Sequence, residues 1–233
     1  SFPTRRSSDL DVRLAVNLMT EGRLDRSRMI IIGVQCEGML HEGALTSACR
    51  TCTVHTPPVY DYFVDAEGGE DTAMDAAASP DETAAGSGAG SDGNGVPEED
   101  ILKLTPAKRR EKLERELDKC ILCFACRQAC AGCYCTTCFM DRGSLDWLTT
   151  TPSRGDKMTY HLTRMMHLAG RCVGCGACEK ACGSGVDLGY ITAALRLFIK
   201  ETYDFESGMD PDAPQVMNSF SADDRQIGFL GEE

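Results

Sequence analysis

The 233-residue sequence has no long apolar run of the length, about 18 residues, that would predict a membrane-spanning helix. Clustered positive charge is also lacking, which argues against a nucleic-acid-binding surface. Of the 36 Asp and Glu, eleven lie between Asp65 and Asp100, and the other 25 nearly balance the 24 Lys and Arg. We find no G-x-S-x-G, Walker or H-E-x-x-H motif and no secretory signal peptide. These absences exclude the commonest catalytic signatures and leave the cysteines as the main source of information.

Cysteine is abundant, with 14 residues, and seven of them fall within the stretch CILCFACRQACAGCYCTTC. Disulfide bonds, zinc and iron–sulfur clusters are three explanations for such crowding. Without an export signal, we expect a cytoplasmic protein whose thiols stay reduced and bind metals. The chain does not begin with Met, so we expect a missing upstream segment. Residues 1–10, SFPTRRSSDL, resemble a translated sequencing-library adapter and are excluded from fold reasoning.

Two cysteine quartets share the spacing C-x2-C-x2-C-x3-C, which is typical of ferredoxins with two 4Fe-4S clusters. Three such thiolates hold three corners of a cluster from one loop, and the fourth cysteine ligates the other cluster. Zinc sites need only pairs of cysteines. The predicted ligands are Cys120, Cys123, Cys126 and Cys182 for cluster one, and Cys172, Cys175, Cys178 and Cys130 for cluster two.

The other six cysteines include two matched C-x2-C pairs, which predict a third site for zinc or another cluster. The pairs are Cys49 with Cys52 and Cys135 with Cys138, and Cys36 or Cys133 are substitutes for one ligand. The alternative is that these thiols are buried packing groups. His161 and His167 are expected to have ordinary surface or packing roles.

The predicted fold class is α+β, with a mainly helical cluster domain after a small, truncated α/β fragment. The fragment covers residues 11–64, with a helix from Asp11, strands at 29–34 and 59–64, and a short helix within GVQCEGML. The composition of residues 65–97 predicts an acidic disordered linker. All eleven charged residues from Asp65 to Asp100 are acidic. The dicluster domain covers 98–206, and an extended tail covers 207–233.

Within the cluster domain, Thr105 and Pro106 predict the N-cap and first turn of a helix that leads into the first cysteine loop. A second helix over 155–169 precedes the second loop, and a third helix follows that loop. The predicted core stripe of the second helix consists of Met158, Leu162, Met165, Met166 and Ala169.

The stretches KCILCFACRQAC, CYCTTCF and HLAGRCVGCGACEKAC resemble the iron–sulfur beta-subunit family found beside formate dehydrogenases and deazaflavin-coenzyme hydrogenases. The long, helical separation of the two quartets resembles the α-helical ferredoxins, such as the one in heterodisulfide reductase. The resemblance implies an electron relay within a larger complex, beside flavin- or cluster-containing partner subunits.

The favoured hypothesis is a non-catalytic electron-transfer subunit of an oxidoreductase that relays single electrons through two 4Fe-4S clusters. One alternative is a catalytic flavin- or deazaflavin-dependent subunit whose substrate site lies in the missing N-terminal part. Another is a zinc-binding scaffold. We expect no nucleic-acid partner and no membrane span.

Overall fold

The computed structural model describes residues 9–38, 40–41, 43–45, 49, 54–64, 70–71, 101, 103–141 and 152–220. Most of the predicted adapter segment lies outside the described residues, as does the predicted linker apart from Glu70 and Asp71. Among the helices of the described ranges, none has both the length and the apolar character needed to cross a membrane.

The N-terminal part contains a helix and small sheets. Helix α1, Asp9–Thr20, begins two residues before the predicted start and leads through a 3-10 turn at Arg26–Arg28. Strands β1 and β4 pair in parallel, and β4 pairs antiparallel with β5, while β2 and β3 form a separate antiparallel pair. The strands are β1 Ile32–Val34, β2 Leu40–His41, β3 Ala44–Leu45, β4 Tyr62–Val64 and β5 Glu70–Asp71.

The short helix predicted within GVQCEGML is wrong, because that stretch runs from the end of β1 into β2 without a helix among its described residues. Gly38 has a φ of 103°, outside the helical region and accessible mainly to glycine. The stretch is therefore a connection between strands β1 and β2.

Helix α1 is held between β1 and the beginning of the predicted tail. Val12 and Val16 pack with Ile31 in a small core. On another face, Asn17 Nδ2 donates to Ser207 Oγ at 2.8 Å, and Gln215 Nε2 donates to Asn17 Oδ1 at 2.9 Å. Residues 207 to 216 therefore return to α1, which connects the two ends of the described chain.

The described residues of the cluster domain form five α-helices with defined bounds: α2 Pro106–Asp118, α3 Ala125–Gln128, α4 Arg154–Leu168, α5 Ala177–Lys180 and α6 Leu188–Tyr203. A 3-10 turn covers Phe139–Asp141. Thr105 caps α2 by accepting from the Lys108 amide, as predicted. Ser153 and Asp156 form a reciprocal capping box at the start of α4. Helices α2 and α4 pack together, and the mostly helical α+β fold class is confirmed.

The predicted core stripe of α4 is partly wrong. Met165 and Ala169 are buried, but Leu162 is 46% exposed and Met166 is 63% exposed. The side chains buried instead are Tyr160, His161, Arg164 and Leu168. The buried face of α4 thus carries polar groups that hydrophobic periodicity does not detect, and these groups face the cysteines.

Candidate functional site

The two cysteine loops have the same backbone conformation. Leu122 and Phe124 in the first loop have positive φ values of 54° and 59°, and Gly174 and Gly176 occupy the same positions of the second loop with 75° and 70°. A four-residue helix, α3 or α5, begins immediately after the second of these positions. The repeated cysteine spacing is therefore a repeated structure.

The structure brings Cys182 to the first loop. Helices α3 and α5 pack against each other, and one cavity is lined by the sulfur-bearing residues Cys120, Cys123, Cys126 and Cys182. The pKa of the Cys120 thiol is raised, chiefly by burial and further by the charges of the other three cysteines. The four cysteines predicted for cluster one are thus neighbours.

Cys130 lies with the cysteines of the second loop. The pKa of the Cys172 thiol is raised chiefly by burial, and the charges of Cys130 and Cys175 add to this effect. Burial also raises the pKa of Cys178 to about 11, with further contributions from Cys172 and Cys130. The cysteine that follows α3 therefore lies close enough to the opposite loop to act on its thiols.

Sulfurs of the four cysteines predicted to hold cluster one make several hydrogen bonds. The Leu122 amide donates to Cys120 Sγ at 3.3 Å, and the Val186 amide donates to Cys182 Sγ at 3.4 Å. The Tyr160 hydroxyl and Cys126 Sγ are hydrogen-bonded at 3.4 Å. Such donors stabilise charge on thiolate ligands and on the cluster sulfurs near them.

His161 is a site residue that the sequence analysis missed. It is 2% exposed, and its Nε2 lies 3.3 Å from Cys120 Sγ. Burial lowers the pKa of His161 to about 4, with a smaller contribution from the charge of Arg164. A neutral imidazole therefore faces this sulfur. The only sequence signal was the helical proximity of His161 to Tyr160 and Arg164, which is too common to identify a site.

Arg164 is the second site residue that sequence reasoning missed. This side chain is 3% exposed, and its Nη2 donates to the Cys126 carbonyl at 3.2 Å. Its charge acts on cysteines of both quartets, including Cys126, Cys130 and Cys178. A hydrogen bond with Cys133, together with a smaller contribution from the charge of Arg164, lowers the pKa of Cys130 to about 6. A permanent buried cation thus lies between the two quartets.

The predicted third site is only partly assembled by the described residues. Cys135, Cys138 and Cys133 line a second cavity. Cys36 hydrogen-bonds through its amide to the His55 carbonyl, and neither Cys36 nor Cys49 lines that cavity. Cys52 lies outside the described residues. The pairing of Cys49–Cys52 with Cys135–Cys138 therefore stays a prediction.

The described thiols are not arranged around one common point. No three His, Cys, Asp or Glu side chains within the described ranges are grouped closely enough to hold one metal ion. Zinc would draw all of its sulfurs to about 2.3 Å from one centre, whereas a cluster distributes its thiolates over several irons. The first cavity is small, about 10 Å³, so the four thiol side chains must open around any cluster.

The chain is similar to the F420-dependent formate dehydrogenase subunit beta of Methanocaldococcus jannaschii. The two are 29% identical over 108 residues, which cover 46% of this chain and 28% of the relative. No family model matches the chain. The similarity supports the expected relation to formate dehydrogenase beta-type subunits, and the chain matches little more than a quarter of that relative's length.

Proposed function

We propose that this chain is an electron-transfer subunit of an oxidoreductase and relays single electrons through two 4Fe-4S clusters. The observation that supports the proposal is the exchange of the fourth cysteines: Cys182 lines the cavity of the first loop, and Cys130 acts electrostatically on the second. Separate zinc-binding loops would have no need for this exchange.

The residues around the quartets suit this function. Cys120, Cys123, Cys126 and Cys182 would hold one cluster, and Cys172, Cys175, Cys178 and Cys130 the other. When bound, such clusters accept and donate electrons one at a time. The Leu122 and Val186 amides would donate to the ligand sulfurs, and buried Tyr160, Leu117 and Leu188 would limit the access of water.

A partner subunit is part of the proposal, because a relay needs a donor and an acceptor. The similar protein from Methanocaldococcus jannaschii is named as a beta subunit of a formate dehydrogenase. We therefore place this chain in a cytoplasmic formate dehydrogenase-type complex, beside flavin- or cluster-containing subunits. Reduced thiols available for iron are consistent with this compartment.

A second candidate is a catalytic, deazaflavin-dependent subunit, because the name of the same relative includes dependence on F420. The match covers 28% of that relative. The coenzyme dependence in the relative's name therefore extends to this chain only as part of this second proposal. A flavin spectrum of the purified chain, or binding of F420 by it, would favour this candidate.

Anaerobic purification of the full chain tests the proposed relay. We expect a brown protein with at least about eight irons and eight sulfides per chain, since two 4Fe-4S clusters are proposed. Dithionite should bleach the visible absorption and produce electron paramagnetic resonance signals, and an oxidised acceptor protein should restore the absorption. A colourless chain that contains zinc and no iron would contradict the proposal.

A further inference from the structure

The second cavity has a volume of about 180 Å³ and lies next to the two quartets. It is larger than the space that a single ion requires and smaller than the roughly 300 Å³ or more typical of drug-sized ligands and cofactors. Its cysteines, Cys133, Cys135 and Cys138, come from the single stretch CYCTTC. Three thiols from one short segment therefore surround a space of intermediate size.

Positive charge surrounds the same cavity. Arg127, Arg164 and Arg171 all contribute to its lining. Arg171 is paired with Glu21 at 2.5 Å, and Arg127 with Asp141 at 2.9 Å. Hydrogen bonds with Asp141 and with Cys138 raise the pKa of Arg127. The guanidinium groups make the cavity suited to an anionic group.

Arg164 supplies the observation that points most directly to a ligand. The side chain is only 3% exposed. Its Nε and Nη1 groups have no hydrogen-bond partner of ordinary geometry among the described residues, although the guanidinium lies close enough to the thiols of Cys130, Cys133 and Cys178 to interact with them. Leaving buried donors unpaired costs about 1–3 kcal/mol each. The charge of Arg164 acts on Cys133 as well as on Cys130. A group with several acceptor atoms in the cavity would satisfy these donors.

We propose that Cys133, Cys135 and Cys138 hold a third iron–sulfur cluster. The inorganic sulfides and thiolates of such a cluster accept hydrogen bonds and carry negative charge, which matches the unpaired Arg164 donors. Each thiol loses its proton as its sulfur bonds to iron. His167 lines the same cavity and offers a ligand that is not a thiol for the remaining iron.

This inference rests on the proposed function, because the third cluster would extend the same relay. It also replaces the predicted pairing with Cys49 and Cys52. The side chains of Cys133 and Cys130 are hydrogen-bonded to each other. Because Cys130 is a predicted ligand of cluster two, the third site lies beside that cluster.

The experiment is a count of iron and acid-labile sulfide in the full chain, reconstituted anaerobically with ferrous iron and sulfide. We expect about twelve irons per wild-type chain and about eight in the double variant Cys135→Ser with Cys138→Ser. The matched control variant, Cys36→Ser, should retain about twelve irons per chain. Circular dichroism and the two remaining cluster signals confirm that the double variant is folded.

Eight irons in the wild-type chain, or an unchanged count in the double variant, would overturn the third cluster and leave the two-cluster relay intact. Eight irons and one zinc, with the zinc lost from the double variant, would overturn the cluster assignment. A wild-type chain without iron would reject the proposed function itself. The wild-type count decides between two and three clusters even if the double variant does not fold.

Discussion

The two cysteine loops share a backbone but differ in their surroundings. In the first loop, the side-chain partners of the sulfurs are the neutral groups of Tyr160 and His161. In the second, burial raises the pKa values of Cys172 and Cys178, and the guanidinium charges of Arg196 and Arg164 oppose that rise. The comparison teaches that cysteine spacing sets the loop conformation, while residues from distant helices set the electrostatic environment.

The loops also reach the same backbone conformation with different residues. Leu122 and Phe124 adopt left-handed φ angles that cost a side-chain-bearing residue about 1–2 kcal/mol each. Gly174 and Gly176 adopt the same angles without that cost. Leu122 is buried and Phe124 packs edge-on against Tyr160 at 5.1 Å between ring centroids. Packing therefore offsets the strain in the first loop.

The largest expected effect is the loss of a whole cluster when Cys182 or Cys130, the fourth cysteine of each spacing motif, is replaced. Cys182→Ala should remove the cluster of the first loop, with about four irons, although residue 182 belongs to the second stretch. Its electron paramagnetic resonance spectrum should match that of Cys123→Ala. Cys130→Ala should likewise match Cys175→Ala. If Cys182→Ala instead resembled Cys175→Ala, each loop would hold its own cluster, and the proposed ligation would be wrong.

Substitution of Gly174 tests the conformational difference between the loops. Gly174→Ala should lower the free energy of unfolding by about 1–2 kcal/mol, because φ is 75°. The new Cβ would also meet the Arg196 guanidinium carbon at 2.6 Å. Anaerobic chemical unfolding measures the difference. Gly183→Ala is the control and should be nearly neutral, since nothing lies within 4 Å of its Cβ position.

The smallest expected effect concerns the neutral donors of the first loop. Tyr160→Phe removes the hydroxyl that is hydrogen-bonded to Cys126 and keeps the buried ring. Loss of about 1 kcal/mol of hydrogen bonding to the more negative, reduced state should lower the reduction potential by roughly 40 mV. A redox titration followed by electron paramagnetic resonance measures each cluster separately. A shift confined to the cluster of the second loop would contradict the assignment.

The sequence predicted the three longer helices of the cluster domain well, because their signals are local, but it did not predict the four-residue helices α3 and α5. Thr105 begins α2 as an N-cap, and the pattern after the second loop gave α6. It failed in GVQCEGML, where Gly38 prevents the expected helix. The predicted α4 stripe failed because hydrophobic periodicity assumes an apolar core, whereas this core includes Arg164 and His161.

The candidate site was predictable only as far as its thiols. The repeated spacing names eight candidate ligand cysteines and predicts that Cys130 and Cys182 each ligate the cluster of the opposite loop. It gave no indication that α4 would place a neutral imidazole against Cys120 and a guanidinium between the quartets. Their positions depend on the packing of α2 against α4 and of α3 against α5.

By itself, the sequence determined the loop conformation and the identity of the thiols, because both depend on residues only a few positions apart. Tertiary structure alone decided which charged and neutral groups face each sulfur and that Cys133, Cys135 and Cys138 share a cavity. Electrostatic interactions and hydrogen bonds act across space within a few ångströms. The residues that provide them here are separated by tens of positions along the chain, so only the folded chain brings them together.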